Sequence, residues 1–143
     1  RKKSLIKKIN HILGNDIKDM SVAVLGLSFK PGTDDMRESP SLDLIPSLVK
    51  NAKEIRVYDP IAMDESSKYI KGVYFANNIQ DCLQNIDVTI ILTEWSEFRT
   101  LSEHYLSKLM KGNVVIDFRN ALNPENFINK NITLHQIGRG PFN

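Results

Sequence analysis

The sequence predicts an α/β protein, a Rossmann-like three-layer sandwich in which helices cover both faces of a mostly parallel sheet. Two observations support this prediction. Apolar runs such as residues 20–26 and 87–92 lack the polar alternation of a half-exposed strand, so both of their faces are expected to be buried. Segments with helical spacing separate these runs, as the crossover connections of a parallel sheet require.

The first predicted element is a helix over residues 1–14. Apolar residues at positions 5, 6, 9, 12 and 13 form one helical stripe, lysines occupy the other face, and Gly14 ends the helix. The chain starts with Arg rather than Met, and the helical pattern is already established at its first residues. We therefore expect residues 1–14 to be the end of a linker helix from a preceding region and residues 15–143 to be one domain.

A strand–helix–strand unit follows. Residues 20–26 form the first strand, and Ser39 is the predicted N-cap of a helix that has Pro40 in its first position and extends to residue 50. Residues 55–58 form the second strand, which ends at an Asp-Pro pair.

The rest of the chain continues the alternation. Further strands are predicted at residues 73–75, 87–92, 114–117 and 132–135. Helical segments are predicted at residues 63–71, 79–84, 101–110 and 125–128. Because parallel strands point the same way, the loops that follow them are expected to meet at one edge of the sheet.

Composition limits the classes of function. The chain has 143 residues, 41% of them hydrophobic and 25% charged, which is typical of one ordinary globular domain. A net charge of +2 without a basic, aromatic-rich block gives no reason to expect a nucleic-acid partner. Its single cysteine, Cys82, forms no internal disulfide and has no metal-ligand spacing. We therefore expect no metal site. No apolar run has membrane length, so we expect a cytoplasmic protein without a membrane partner.

The segment after the first strand has the most informative pattern in the chain. Residues 26–40 read GLSFKPGTDDMRESP, with two glycines, two cations and a helix start. Lys30 follows the first strand and Arg119 follows the strand at residues 114–117, so both cations are expected at the edge where open α/β sheets bind ligands. Two neighbouring cations favour an anionic ligand such as a diphosphate or a carboxylate.

Ordinary ion pairing is the alternative interpretation of these cations. Lys30 would then be solvated, and Arg119 would pair with Asp117 or Asp34. Arg37 likewise has two potential partners in the carboxylates at positions 34 and 35. Spacing along the chain does not separate these alternatives.

Standard nucleotide-binding motifs are absent from the sequence. Gly26 and Gly32 do not form the Gly-x-Gly-x-x-Gly fingerprint, and there is no P-loop. Asp59 ends the second strand, where a dinucleotide domain places its ribose-binding acid, but it lies 33 residues after Gly26 instead of about 20. We therefore interpret Asp59 as a turn carboxylate before Pro60, with a ribose contact as the alternative.

The segment at residues 26–40 resembles, nearly residue for residue, the signature that opens the C-terminal domain of the UDP-glucose/GDP-mannose dehydrogenase family. Similar stretches at residues 57–60, 93–98, 117–120 and 137–139 extend the resemblance over essentially the whole chain. In that family, an enzyme of three parts oxidises the C6 alcohol of a nucleotide-sugar to a carboxylate in two NAD-dependent steps. The resemblance implies that NAD is bound mainly by an N-terminal part, that a middle part carries the catalytic cysteine, and that this domain closes over the nucleotide-sugar.

The same resemblance assigns roles to four residues. Phe29 and Lys30 match the family's substrate-contacting pair, and Arg37 matches an arginine that touches NAD. Arg119 matches an arginine that reaches the substrate from a neighbouring subunit, which implies a homodimer or a larger homo-oligomer. Cys82 lacks the sequence context of the family's nucleophile, so we expect a core cysteine, no catalytic residue in this chain and no turnover by the chain alone.

The substrate expectation comes from two later stretches. Residues 93–98 and 117–120 resemble most closely the family members that act on UDP-glucose, with GDP-mannose and UDP-N-acetylmannosamine as alternative substrates. Leu134 departs from the family pattern, which more often has Tyr there, and this affects packing more than chemistry. A nucleotide-binding module without catalysis is the second hypothesis.

Overall fold

The computed structural model describes residues 2–143, with side chains from Leu5 onward. The strands are β1 (Ser21–Leu25), β2 (Glu54–Tyr58), β3 (Tyr74–Phe75), β4 (Val88–Ile91), β5 (Val114–Asp117), β6 (Thr133–Gln136) and β7 (Arg139–Phe142). The α-helices are α1 (Lys2–Leu13), α2 (Ser41–Asn51), α3 (Met63–Ser67), α4 (Ile79–Leu83), α5 (Ser96–Arg99) and α6 (Glu103–Leu109). Two 3₁₀ helices lie at Gly14–Asp19 and Pro124–Phe127.

The strands form one sheet in the order β3-β2-β1-β4-β5-β6-β7. All neighbouring strands are parallel except β6 and β7, which are antiparallel. From β1 the chain builds the sheet outward through β2 and β3, and it then returns to the other side of β1 to add β4 and the later strands. The order therefore reverses between β1 and β4, and the loops at their carboxyl ends border the crevice in which open α/β sheets bind ligands.

A hydrophobic core lies on each face of the sheet, which confirms the predicted three layers. Val24 of β1 belongs to the core shared with α1 and α2, whereas its neighbour Leu25 belongs to the core shared with α4 and α6. Ile9 of α1 is fully buried in the first of these cores. The first helix therefore packs as a part of this domain. No helix in the described part of the chain is long and apolar enough to cross a membrane.

The predicted strands all form, and the differences lie at element ends and in short elements. The predicted helix at 63–71 ends at Ser67, and the helix predicted from residue 101 begins at Glu103. The α2 helix begins at Ser41, with Pro40 just before it, so the predicted start was one residue early. Ser39 nevertheless accepts a hydrogen bond from the Ser41 N–H at its hydroxyl (3.2 Å), as a capping residue does. The strand β7, the helix α5 and the first 3₁₀ helix were not predicted.

Candidate functional site

The loop that follows β1 is attached to its neighbours by the buried carboxylate of Asp59. One carboxylate oxygen accepts hydrogen bonds from the N–H groups of Leu27 (2.8 Å) and Ser28 (3.2 Å) and from the Ser28 hydroxyl (3.3 Å). The other oxygen accepts from the N–H groups of Ile61 (2.9 Å) and Ala62 (2.8 Å). Asp59 is 1% exposed. It therefore acts as the turn carboxylate that the sequence favours, and it ties the loop after β1 to the loop after β2.

The tip of the loop after β1 presents an aromatic ring and a cation. The Phe29 side chain is 45% exposed although it is large and apolar. Its N–H donates to the carbonyl of Asp35 (2.8 Å), and the Ser28 hydroxyl donates to the carbonyl of Lys30 (2.9 Å), so the loop closes on itself. The exposed Lys30 side chain forms no hydrogen bond or ion pair with the described residues. Its ammonium group is therefore not held in a fixed position by a protein partner.

Arg119 lies just past the end of β5, and its guanidinium is paired with Glu94. Its Nε and Nη2 donate to the two carboxylate oxygens of Glu94 at 2.8 and 3.0 Å, and Nη1 donates to the carbonyl of Leu92 at 3.3 Å. Both partners belong to the segment that follows β4. The predicted alternative, a pair with Asp117 or Asp34, is therefore wrong about the partner. The segment after β4, not the Asp34 loop, lies next to the end of β5, and the Asp117 carboxylate accepts from backbone N–H groups and Gln136 instead.

The backbone around Arg119 is fixed by Asp117, the last residue of β5. Asp117 is fully buried, and one of its oxygens accepts from the Arg119 N–H at 3.1 Å. The other oxygen accepts from the Leu122 N–H and from Nε2 of Gln136, both at 2.9 Å. Gln136 Nε2 also donates to the Leu122 carbonyl at 2.8 Å. Gln136, at the end of β6, is a contributor to the site that the sequence analysis missed.

Arg37 lies on the other side of the same loop and pairs with Asp35. Its Nε and Nη2 donate to the two Asp35 oxygens at 3.0 and 2.9 Å, while its side chain stays 89% exposed. These hydrogen bonds lower the pKa of the Asp35 carboxyl from 3.8 to about 2. Of the two predicted partners, the structure thus selects Asp35. Arg37 and Asp35 both line a cavity of about 590 Å³, which Glu65 and Tyr69 line as well.

The segment after β4 connects the two cationic positions. The Thr93 hydroxyl donates to the carbonyl of Ser28 in the Lys30 loop at 3.0 Å. The next residue, Glu94, forms the ion pair with Arg119. Lys30 and Arg119 therefore flank one short segment at the carboxyl edge of the sheet, where the sequence places both of them.

Cys82 takes no part in these contacts. It is fully buried in α4, and burial raises the pKa of its thiol to about 12. The thiol therefore stays protonated at neutral pH, where only a thiolate would be a good nucleophile. Cys82 is a core residue, as the sequence predicts.

The fold and this edge define a Rossmann-like domain with cationic side chains at the crevice where such domains bind nucleotides. Residues 23–124 match the model of the UDP-glucose/GDP-mannose dehydrogenase family, UDP binding domain. The chain therefore belongs to the UDP-glucose/GDP-mannose dehydrogenase family and is its UDP-binding domain, as the resemblance in its sequence indicates.

Individual relatives agree with this assignment. UDP-glucose 6-dehydrogenase of Rickettsia prowazekii (strain Madrid E) is 35% identical over 128 residues, which cover 87% of this chain and 29% of the relative. The enzyme of the same name from Rhizobium meliloti (strain 1021) is 34% identical over 139 residues, with coverages of 97% and 32%. The solved structure of NDP-N-acetyl-D-galactosaminuronic acid dehydrogenase from Methanosarcina mazei Go1 superposes with a TM-score of 0.77 at 28% identity, over 98% of this chain and 29% of that one. The chain thus spans about three tenths of the length of these proteins.

Proposed function

We propose that this chain is the nucleotide-sugar-binding domain of an NAD-dependent UDP-glucose 6-dehydrogenase, which oxidises UDP-glucose to UDP-glucuronate in two steps. The observation that carries the proposal is the pair of cationic side chains, Lys30 and Arg119, on either side of the segment after β4. The names of the relatives that match most of this chain support UDP-glucose as the substrate. Catalysis would require the parts of the enzyme that lie outside this chain.

In this proposal, the cations bind and orient the anionic substrate. Lys30 forms no hydrogen bond or ion pair with the described residues, so its ammonium group is available to bind a diphosphate oxygen. Arg119 adds directed N–H groups from the adjacent loop, and the exposed ring of Phe29 offers an apolar contact beside Lys30. The domain would hold the nucleotide-sugar in place for a reaction whose catalytic groups lie outside this chain, and such positioning lowers the activation barrier.

NAD would accept the hydride in each oxidation step. The described residues fit a peripheral contact with this cofactor and not its main binding site. Arg37 is exposed and basic, as a phosphate contact requires, but Asp35 already occupies one side of its guanidinium and Glu65 adds a second carboxylate at the neighbouring cavity. We therefore propose that Arg37 touches NAD and that an N-terminal domain binds most of it.

The proposal also covers the organisation of the whole protein. We propose that residues 1–14 are the end of the helix that joins this domain to the preceding one, and that Arg119 reaches the substrate of a neighbouring subunit in a cytoplasmic homodimer or larger homo-oligomer. Both statements rest on the family resemblance.

Substrate use by the full-length protein tests the proposal. NADH formation is measured with UDP-glucose, GDP-mannose and UDP-N-acetylmannosamine in parallel. We expect two NADH per UDP-glucose and little from the other two sugars. NADH from one of the other sugars would assign the domain to a different member of the family, and no NADH from any of them would favour a binding module without catalysis.

Variants of the two cations test their roles. We expect Lys30→Ala and Arg119→Ala to raise KM for UDP-glucose by about tenfold or more, because each loses a charge-assisted hydrogen bond to the substrate. Lys50→Ala is the matched control, since Lys50 is an exposed lysine in the last turn of α2, away from this edge. Unchanged kinetics in both variants would contradict the roles assigned to these residues.

A further inference from the structure

We propose that Glu94 is a positioning residue for substrate binding, because it fixes the guanidinium of Arg119 in one orientation and leaves its outer N–H groups for the ligand. The inference rests on the proposed function, in which Arg119 binds the nucleotide-sugar. It extends that function to a residue for which the family resemblance gave no role.

The geometry of the pair divides the donors of Arg119 into two groups. An arginine has five N–H donors in a fixed plane. Nε and Nη2 use one donor each on Glu94 at 2.8 and 3.0 Å, and Nη1 uses one on the Leu92 carbonyl at 3.3 Å. One N–H on Nη1 and one on Nη2 remain. The Glu94 carboxylate binds the edge of the guanidinium that Nε and Nη2 form. Both remaining donors therefore belong to the terminal nitrogens Nη1 and Nη2, which lie furthest from the backbone.

The Arg119–Glu94 ion pair is less exposed than the Arg37–Asp35 ion pair, so its geometry is held more firmly. The side chains of Arg119 and Glu94 are only 32% and 20% exposed, whereas the Arg37 side chain is 89% exposed. The backbone of Arg119 is held as well, since its N–H donates to the buried Asp117 at 3.1 Å. Arg119 is therefore fixed at both ends, and a fixed bidentate arginine binds an anion with little further loss of side-chain entropy.

A carboxylate beside an anion-binding site needs a physical reason, because it repels the ligand. Glu94 neutralises the net charge of Arg119, so the pair attracts an anion mainly through directed hydrogen bonds. Lys30 forms no hydrogen bond or ion pair with the described residues, so its ammonium group can donate directly to a ligand.

Steady-state kinetics of the full-length protein with UDP-glucose test the inference. We expect Glu94→Ala to raise KM by about tenfold with a smaller change in kcat, because substrate binding loses an oriented donor pair. We expect Glu94→Gln to fall between this variant and the unaltered protein, since the amide oxygen keeps one of the two acceptors. In the Glu94→Ala/Arg119→Ala double variant, kcat/KM is expected to equal that of Arg119→Ala, because Glu94 acts through Arg119.

The matched control is Glu54→Ala. Glu54 pairs with Arg56 through Nε at 3.2 Å and Nη2 at 3.4 Å, so this variant breaks a second glutamate–arginine pair at the opposite, amino-terminal end of β2. We expect its kinetics to match those of the unaltered protein. Thermal unfolding of every variant accompanies the kinetics, and the nearly isosteric Glu94→Gln provides the test if Glu94→Ala does not fold.

The outcomes separate this inference from the proposed function. If Arg119→Ala raises KM but neither Glu94 variant does, the positioning role is wrong and the proposed function stands. If the effects of Glu94→Ala and Arg119→Ala on kcat/KM multiply in the double variant, Glu94 acts independently of Arg119 and the inference is also wrong. If Arg119→Ala itself changes nothing, the proposed role of Arg119 fails and the role of Glu94 fails with it.

Discussion

Gly26 and Thr93 lie so close together that no side chain fits between them. A Cβ atom at Gly26 would lie 2.6 Å from the Thr93 Cβ and 2.7 Å from the Thr93 backbone nitrogen. The φ of Gly26 is 97°, which side chains other than hydrogen strongly disfavour. The Gly26 N–H donates to the carbonyl of Tyr58 at 2.8 Å. The first residue of the Lys30 loop is thus enclosed between the ends of β2 and β4, and only glycine satisfies both the space and the backbone conformation.

We expect Gly26→Ala to lower the free energy of unfolding by about 3 kcal/mol or more, because it adds a steric overlap with backbone to the cost of a positive φ. Gly32→Ala is the matched control. Gly32 has a φ of 84°, but a Cβ there would meet no atom within 4 Å, so only the backbone cost of about 1 kcal/mol applies. Urea denaturation of both variants checks the difference. Equal losses would show that the end of β4 moves aside without cost.

Asp59 is the second determinant of the loop's shape. We expect Asp59→Asn to cost about 2–4 kcal/mol of unfolding free energy, because the amide group turns a donor toward N–H groups that the carboxylate accepts in a buried site. Asp87→Asn serves as the comparison. Asp87 accepts one hydrogen bond from the Ser21 N–H at 2.9 Å in a partly buried position, so its loss is expected to be about 1 kcal/mol. A smaller loss for Asp59→Asn than for Asp87→Asn in urea titrations would contradict the proposed anchoring.

The central strands were predictable because a strand that is buried on both faces has a continuous apolar sequence. β4 is apolar at both of its faces except at Thr89, which is buried too. The edge strand β7 escaped prediction because it contains Gly140 and Pro141, two residues that are typical of turns and weaken a strand assignment. The local sequence therefore predicts the interior of the sheet and the β3 edge, but not the β7 edge.

The sequence predicted where the candidate site lies, but not which residue pairs with Arg119. The rule that ligands bind at the carboxyl ends of parallel strands places Lys30 and Arg119 at one edge without any structure. The partner of Arg119 depends instead on which strand neighbours β5 and in which register. Ile91 pairs with Asp117 across β4 and β5, so the residues that follow them, among them Glu94 and Arg119, come into contact. Strand order and register are long-range properties, and no local pattern in the sequence specifies them.

The state of Cys82 gives a chemical prediction. The thiol is fully buried and burial raises its pKa to about 12, so we expect Cys82 not to react with Ellman's reagent in the native state at pH 8. In denaturing urea the reagent is expected to detect one thiol for each copy of this chain, since Cys82 is the single cysteine of its sequence. Rapid labelling of Cys82 in the native state would contradict its burial and would reopen a chemical role for it.

The Asp35–Arg37 pair predicts a pH dependence with a definite sign. The Arg37 side chain and N–H hold the pKa of Asp35 at about 2, below its ordinary value of 3.8. Because the folded state binds this proton less tightly, the pair stabilises the fold above about pH 4, and that contribution is lost as the pH falls toward 2. The pair is exposed, so added salt is expected to weaken it.

Carboxyl-carbon NMR titration of Asp35 measures this shift directly. We expect Arg37→Ala to raise the pKa of Asp35 from about 2 part of the way toward 3.8, because the side-chain hydrogen bond is lost while the N–H of residue 37 still donates to the carboxylate. Lys30→Ala is the matched control, since Lys30 acts on Asp35 only through a weak Coulomb attraction and its removal is expected to change the pKa little. A pKa near 3.8 in the unaltered protein would mean that Asp35 does not hold Arg37 in solution. The side-chain donors of Arg37 would then be free for a phosphate, and the proposed contact with NAD would not require Arg37 to leave Asp35.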